Sequence, residues 1–352
     1  MKQFSIHNLQ IADGAPPLFF PDIGTFFNQD MKTAEALVRQ LHTAGATLIK
    51  GEILHDPDIA LDDDTRDTYL TRDGKPVDER YRSLIERKIV SFPAYEQLFG
   101  LCKSLGIGFL LSVYDFKGAE FARDIGACAL KIASSNIVHQ PLIEHVARLG
   151  LPLIIDTGKS TLEEISRAVQ WAEDAGASNI MIQHSPEAPP APLENHNLRM
   201  LPALRIAFDR PVGLSDHHAG EEMLYAAIAL GAHAVEKGVR PDDLVQDQDV
   251  HHAMPVSLAA EVMAKCRRIH VALGSGTRHL RRDREKYISR MGLIAAQDIR
   301  SGDSLVRETV GFAFPAKGIP IEHWELVNGW RVRHDVPRGN VIRWQDIEPP
   351  SA

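Results

Sequence analysis

The stretch LPLIIDTGKSTLEEISRAVQWAEDAGASNIMIQHS (151–185) decides the fold class. It opens on an apolar run, Leu151–Asp156, and closes on another, Asn179–Ser185. Between them Leu162, Ile165, Val169 and Ala172 recur at helical spacing, and Thr161 with Glu164 has the pattern of a capping box. AGA at 175–177 then ends the helix, because glycine just past a helix end accepts the left-handed backbone that other residues resist. The unit is strand, helix, strand. The runs are continuously apolar rather than alternating, as expected of parallel strands covered on both faces.

The same unit repeats in both directions. Further candidate strands are Leu18–Ile23, Thr47–Lys50, Ile107–Val113, Ala129–Ala133, Val212–Asp216 and His233–Val239. Ala34, Leu37, Val38 and Leu41 form another helical stripe, and the AGA, IGA and LGA endings recur at 44–46, 125–127 and 230–232. The glycines at 106, 126, 150 and 176 lie 20, 24 and 26 residues apart, and 176 to 231 is 55. Eight strand–helix units at this period predict a closed (β/α)₈ barrel, with an open doubly wound sheet as the alternative. No GxGxxG or Walker loop is present to bind a nucleotide. One segment, 52–90, with HDPDIALDDDTRDTYLTRDGK at 55–75, is long and polar for a βα connection. It reads as either a solvated insertion or a substrate lid.

Beyond Gly274 the pattern changes. TRHLRRDREKYISR (277–290) reads as a solvated basic linker. AAQDIRSGDSL (295–305) and VRHDVPRGNVI (332–342) echo each other, each predicting a strand, a tight turn and a strand. The expected organisation is a barrel domain over 1–275, a linker over 276–290 and a small β domain over 291–352. The 352 residues carry a net charge of −8, which argues against a nucleic-acid partner. No apolar run reaches membrane-span length, and His7, Asn8 and Gln10 interrupt the N-terminal apolar residues, so no signal peptide is expected. Cys102, Cys128 and Cys266 are far apart and odd in number, which fits a reducing cytoplasm and excludes a cysteine-built zinc site.

PDIGTFFNQD (21–30), ATLIKGE (46–52), ALKIASS (129–135), PLIIDTGKSTLEE (152–164), VGLSDHH (212–218), AVEKG (234–238) and FPAKGI (314–319) follow in an order and spacing that resemble the sialic acid synthase family. That family, the N-acetylneuraminate synthases, includes the spore coat polysaccharide biosynthesis protein E group. The resemblance implies a (β/α)₈ TIM barrel followed by a C-terminal antifreeze-like (SAF) β domain. It also implies condensation of phosphoenolpyruvate with an N-acylated amino-sugar aldehyde and water, releasing phosphate and a nine-carbon 2-keto acid. A divalent metal, manganese or magnesium, activates the aldehyde in the family. The implied assembly is a homodimer in which the C-terminal domain of one subunit reaches the other's site.

The resemblance assigns roles residue by residue. Lys50 and Lys131, ending the second and fourth strands, match lysines that hold phosphoenolpyruvate. Ser134 matches a phosphate-side hydroxyl, and Ser112 stands where threonine is usual. Asp22 takes the place of a glutamate that acts as base or orients water. Glu236 and Asp249 match acidic residues on and beyond the eighth strand, and His217 matches the first metal histidine. The departures are specific. Gly238 stands where the second metal histidine belongs, so a metal is expected to be held weakly or lost, with His251 or His252 as possible replacements and Gly238→His as a restoring change. Glu52 replaces a glutamine, Asp156 a serine, Asn136 a sugar contact, and Lys159 a methionine. His184 opens the substrate loop HSPEAPPAPLEN (184–195), which keeps only Pro190, Pro192 and Glu194 and has Pro189 in place of an aromatic residue. Phe314 replaces an arginine sent into the neighbouring site. Each added carboxylate within 4 Å of an anionic substrate opposes it by about 4 kcal/mol at an effective dielectric near 20. Lys159, three residues from Asp156, is the expected answer to that charge, while Lys237 alternates to the helix-facing side of its strand. Two other functions remain open on pattern alone: a lysine Schiff-base aldolase on the same barrel, or a catalytically weakened sugar-binding or regulatory homologue.

Overall fold

The computed structural model describes residues 3–186, 191–277 and 283–350. Pro189 and Pro190 of the substrate loop, and 278–282 of the basic stretch, lie outside the described residues. The chain forms two compact units, Met1–Gly274 and Ser275–Ala352.

In the first unit eight parallel strands close into a barrel. They are β1 (Leu18–Asp22), β2 (Leu48–Ile53), β3 (Gly108–Val113), β4 (Ala129–Ile132), β5 (Leu153–Asp156), β6 (Ile180–His184), β7 (Val212–Asp216) and β8 (Ala234–Arg240). Pairing of β8 with β1, from Ala234↔Leu18 to Gly238↔Asp22, closes the ring and excludes the open sheet. The helices between and after the strands are α1 (Met31–Thr43), α2 (Phe92–Ser104), α3 (Phe116–Asp124), α4 (Gln140–Arg148), α5 (Leu162–Asp174), α6 (Met200–Phe208), α7 (Glu222–Ala229) and α8 (Ala259–Leu273). The capping box at Thr161 and Glu164 starts α5 as its sequence predicts, and Gly126 and Gly176 take φ of 84° and 104° beyond α3 and α5.

The alternation of side chains along each strand explains both the apolar runs and the location of the chemistry. Outward residues such as Ile49, Leu111, Ile155, Ile182 and Val235 join the layer packed against the helices. Inward residues change character along the axis. Leu18, Phe20, Leu48, Leu110, Ala129, Ile154, Met181 and Ala234 fill the lower barrel with Phe4, Ile6 and Ile11 of the N-terminal hairpin. Two residues further along β2, β3, β4, β5, β6 and β8 stand Lys50, Ser112, Lys131, Asp156, Gln183 and Glu236. The barrel is therefore a plugged apolar core below and a polar mouth above, the face where barrel chemistry is built. Gly108 is required by the plug: a Cβ there would lie 2.7 Å from the His7 ring.

Segment 52–90 is folded rather than merely solvated. It forms an antiparallel hairpin, Arg66–Leu70 with Pro76–Arg80, and a short helix Tyr81–Glu86. It is fastened to the loop after β8: the Arg72 N–H donates to the Val245 carbonyl at 2.8 Å, and Gln246 donates to the Tyr69 hydroxyl at 3.1 Å.

In the second unit β9 (Gly292–Ala295) pairs antiparallel with β10 (Val310–Ala313). The two echoed segments do not close as separate hairpins, as their sequences predict; they pair with each other. Ile299 and Val336 exchange N–H···O bonds of 2.9 and 2.8 Å. Asp298 accepts from the Arg338 N–H, and Asp335 accepts from the Ser301 N–H, both at 2.8 Å. Gly302 and Gly339, with φ of 87° and 82°, donate to the carbonyls of Val332 and Ala295. The echo is thus an internal two-fold, in which each copy caps the other's turn. The basic stretch is also less free than a linker: Tyr287, Lys286 and Arg290 all engage Glu322 of this unit.

Candidate active site

The polar mouth of the barrel is a cavity of about 540 Å³. It gathers Asp22, Lys50, Glu52, Ser112, Lys131, Ser134, Asn136, Asp156, His217, Glu236 and Asp249 around one space. These are all but two of the site residues expected from the sequence. His184 and Lys159 line a neighbouring cavity with Thr157, Ser160, Asn195 and Asn197. The His184 Nε2 is bonded to the His196 carbonyl at 2.8 Å. Lys159 does not answer the charge of Asp156, contrary to the sequence expectation. Its backbone is left-handed, φ 56°, and Lys131 takes that role instead.

Glu236 is the hub of the site. The Lys131 Nζ donates to both its carboxylate oxygens, at 2.8 and 2.9 Å. The Lys50 Nζ lies 3.4 Å from Oε1, Gln183 donates to Oε2 at 3.0 Å, and the Ser215 hydroxyl donates to Oε1 at 3.3 Å. Lys50 also reaches Asp22 at 2.6 Å and Glu52 at 3.3 Å, and Lys131 reaches Asp156 at 2.7 Å. The two replacement carboxylates, Glu52 and Asp156, therefore enter with lysine partners. Burial opposes ionisation of Glu236, yet the two lysines outweigh it and hold the carboxyl down at about 2. Burial likewise opposes the charge of both lysines, and the surrounding carboxylates override it, keeping Lys50 well above and Lys131 above the usual lysine range. Asp22 differs: burial, with Glu236 and Glu52 nearby, overcomes Lys50 and raises its carboxyl to about 7.

In the same cavity His217 and His252 pack ring to ring, centroids 4.9 Å apart. The His217 Nδ1 is 3.3 Å from the Ser185 hydroxyl. Burial, then the neighbouring His252, pushes His217 down to about 4. Burial, then Lys237, pushes His252 down to about 3. Both imidazoles are neutral at pH 7. Lys237 is on the outward face as alternation predicts, but it is fully buried, 2.9 Å from Asp216, and bonded to the carbonyls of His218 and Gly220.

Gln183, Ser215, Tyr114 and the pair Lys88–Asp247 belong to the site or its frame and were not singled out by sequence. Gln183 carried a signal, a lone amide at an inward position of an apolar strand. Lys88 and Asp247 carried none, being 159 residues apart, although their 3.0 Å ion pair is buried at 5% and 0% side-chain exposure. That pair ties the insertion to the loop after β8, and Ile59, Tyr81, Ile85 and Lys88 of the insertion line the cavity.

Comparison with known proteins agrees with the barrel and the small C-terminal domain. Residues 37–278 match the model of the NeuB family, and residues 290–348 match the SAF domain. The chain belongs to the NeuB family. It is 26% identical to the N,N'-diacetyllegionaminic acid synthase of Campylobacter jejuni over 93% of this chain and 98% of the relative. It is also 26% identical to the spore coat polysaccharide biosynthesis protein SpsE of Bacillus subtilis, covering 99% and 98%. The crystal structure of the N-acetylneuraminic acid synthetase from Leptospira borgpetersenii superposes with a TM-score of 0.72 at 22% identity, covering 82% of this chain and 95% of that one. The resemblance in the sequence thus holds at the level of family and fold, and the chain is a divergent member. Among the described residues no helix is long and apolar enough to cross a membrane.

Breaking a buried ion pair by removing one partner strands the other charge. Lys88→Met should therefore cost about 3–5 kcal/mol in urea unfolding, and the double variant with Asp247→Leu should recover most of the loss. Equal stability of the single variant and the parent would show that the pair does not hold the loop.

Proposed function

We propose that this chain condenses phosphoenolpyruvate with an N-acylated amino-sugar or related aldehyde sugar, giving a nonulosonic acid and inorganic phosphate in the cytoplasm. One observation carries this: two charged lysines converge on Glu236 at the barrel mouth, with Ser112 and Ser134 lining the same cavity. Relatives over nearly the whole chain are a legionaminic acid synthase and a spore coat polysaccharide protein, and surface polysaccharide synthesis is the setting this supports.

In this proposal Lys50 and Lys131 take the carboxylate and phosphate of phosphoenolpyruvate, and hydroxyls of Ser112 and Ser134 donate to the phosphate side. The enol C3 forms a bond to the aldehyde carbon, water adds at C2, and the C2–O bond to phosphate breaks to leave the 2-keto group. Asp22, with its raised carboxyl, is the group suited to take or give the proton of that water near neutral pH. Asn136, Asp249, His184 and Lys159 are the proposed sugar contacts, in the main cavity or the one beside it. The residues present also fit a divalent cation: His217, neutral and oriented by Ser185, would hold it beside the carboxylate of Asp249. Such an ion supplies polarisation of the aldehyde carbonyl. A Schiff-base mechanism finds no support, because it needs a lysine with a lowered pKa, and both cavity lysines are held protonated. The proposed assembly is a homodimer with the C-terminal unit, where Phe314 is 61% exposed, reaching toward the partner's site.

Phosphate release from phosphoenolpyruvate should require the aldehyde sugar, and Lys131→Ala should abolish phosphoenolpyruvate binding in calorimetry while leaving the circular dichroism unchanged. Borohydride trapping of pyruvate on the protein would instead support the aldolase.

Four carboxylates face two ammonium groups in the cavity, so the protonation of Asp22 matters to a trianion. Below about 7 Asp22 is neutral; above it a negative charge appears beside the ligand. The dissociation constant for phosphoenolpyruvate should therefore rise with pH above 7, by up to about tenfold per unit if only the protonated form binds. Asp22→Asn should flatten this rise, and an unchanged slope in that variant would assign the titration elsewhere.

Sedimentation at micromolar concentration should give the mass of a dimer; a monomeric mass rejects the assembly.

A further inference from the structure

We propose that this protein has moved its second metal-binding imidazole from the eighth barrel strand to the loop that follows it, so that His217 and His252 together hold a divalent transition metal. The inference rests on the proposed function only for the metal's use; binding itself can be measured without substrate.

The strand position is crowded. A Cβ on Gly238 would lie 3.2 Å from the Ala253 Cβ and 3.2 Å from the Phe26 Cζ. Those contacts are tighter than ordinary packing, so a side chain there needs Ala253 and Phe26 to give by a few tenths of an ångström. The segment lying over Gly238 is the one that carries His252, the residue before Ala253.

The two histidines face one space. Both line the cavity, with ring centroids 4.9 Å apart, so one ion could be reached from both rings. Ser185 occupies the Nδ1 of His217, which fixes the ring and leaves Nε2 as the ligand atom, the outer-shell arrangement usual for metal histidines.

His252 is otherwise unexplained. It is 5% exposed, and its Nδ1 is buried with no hydrogen-bond partner. Its Nε2 is 3.7 Å from the Asp249 Oδ1, beyond hydrogen-bonding range. That leaves the His252 Nε2 without a hydrogen bond to Asp249 and able to hold a cation beside its carboxylate. Among the described residues no three His, Cys, Asp or Glu side chains already converge as a complete site. Asp249 or a substrate oxygen therefore completes the coordination once the ion is present. His251 also has an unpartnered buried nitrogen, but it does not line the cavity. The donor set of two imidazoles and a carboxylate suits manganese, iron, cobalt or zinc better than magnesium or calcium.

The test is manganese binding to the chelator-stripped full chain, read by electron paramagnetic resonance and calorimetry without substrate. The parent should bind one ion per chain and show nitrogen couplings from two imidazoles in spin-echo spectra. His252→Ala and His217→Ala should each weaken binding at least about tenfold, the lower end of the cost of losing even an outer-shell partner. Each should also leave one imidazole coupling; His251→Ala should change neither. Two couplings persisting in His252→Ala, or no manganese binding by the parent, would overturn the proposal. His252→Asn, which preserves a polar side chain of smaller size, separates loss of the ligand from loss of the loop's fold. Phosphoenolpyruvate binding to the stripped protein tests the proposed function separately, since it depends on Lys131 and not on the ion.

Discussion

The carboxylate of Glu236, held between the ammonium groups of Lys50 and Lys131, is the interaction on which the site depends. Three charges from three strands meet below the surface of the barrel mouth. None would be tolerable alone, because an unpaired buried ion costs several kcal/mol even after relaxation. Together they are matched, and Gln183 and Ser215 occupy the remaining acceptor positions. The geometry follows from barrel register: Glu236 pairs with Ser215 across β7 and β8, and Lys50 with Asp22 across β1 and β2. The inward alternation then aims all of them at one axis. The apolar plug beneath excludes water from their lower side, which strengthens each interaction.

The same network limits what can bind. The added carboxylates Glu52 and Asp156 draw the lysines into pairs, so an incoming anion competes with internal partners instead of meeting free ammonium groups. In the proposed function, anion binding would be an exchange of lysine partners. It would be most favourable when one carboxylate is neutralised by a proton, and the raised carboxyl of Asp22 is the group placed to take it.

What was legible in the sequence was whatever local pattern encodes. The eight strands, the capping box at Thr161 and the glycine helix endings were readable because periodicity and backbone conformation are short-range. The convergence of Lys50, Lys131, Asp156 and Glu236 was readable through the strand ends, since a closed barrel brings every strand's inward positions to a common axis. Partner choice was not. Lys159 is nearer Asp156 in sequence than Lys131 is, but its left-handed backbone follows a turn that takes it to the neighbouring cavity, while β4 and β5 are adjacent in the barrel. The echo in the C-terminal unit was visible, but its pairing was not: nothing local says whether a strand-turn segment will close on itself or on its copy. Lys88 and Asp247 lay beyond reach for the same reason, as two ordinary charges in polar loops until the fold buries them together.

The loop after β8 brings these threads together. It is anchored from one side by Lys88, through Asp247, whose carboxylate also accepts the N–H of Asp249. On the other side Ala253 packs close to the space above Gly238. Between these anchors stand Asp249 and His252, both facing the cavity. The polar insertion between β2 and α2 is thus more than a cover, because its lysine fixes the segment that presents two of the site's polar groups. Glycine at 238 and the presence of the insertion become parts of one arrangement. Ala253 sits where a side chain at 238 would crowd it, and the buried Lys88–Asp247 pair ties the same loop to the insertion. Under this constraint a substitution at 238 disturbs Phe26 and Ala253 before it adds any donor atom, and a substitution at 88 reaches the active site through backbone geometry without touching a ligand.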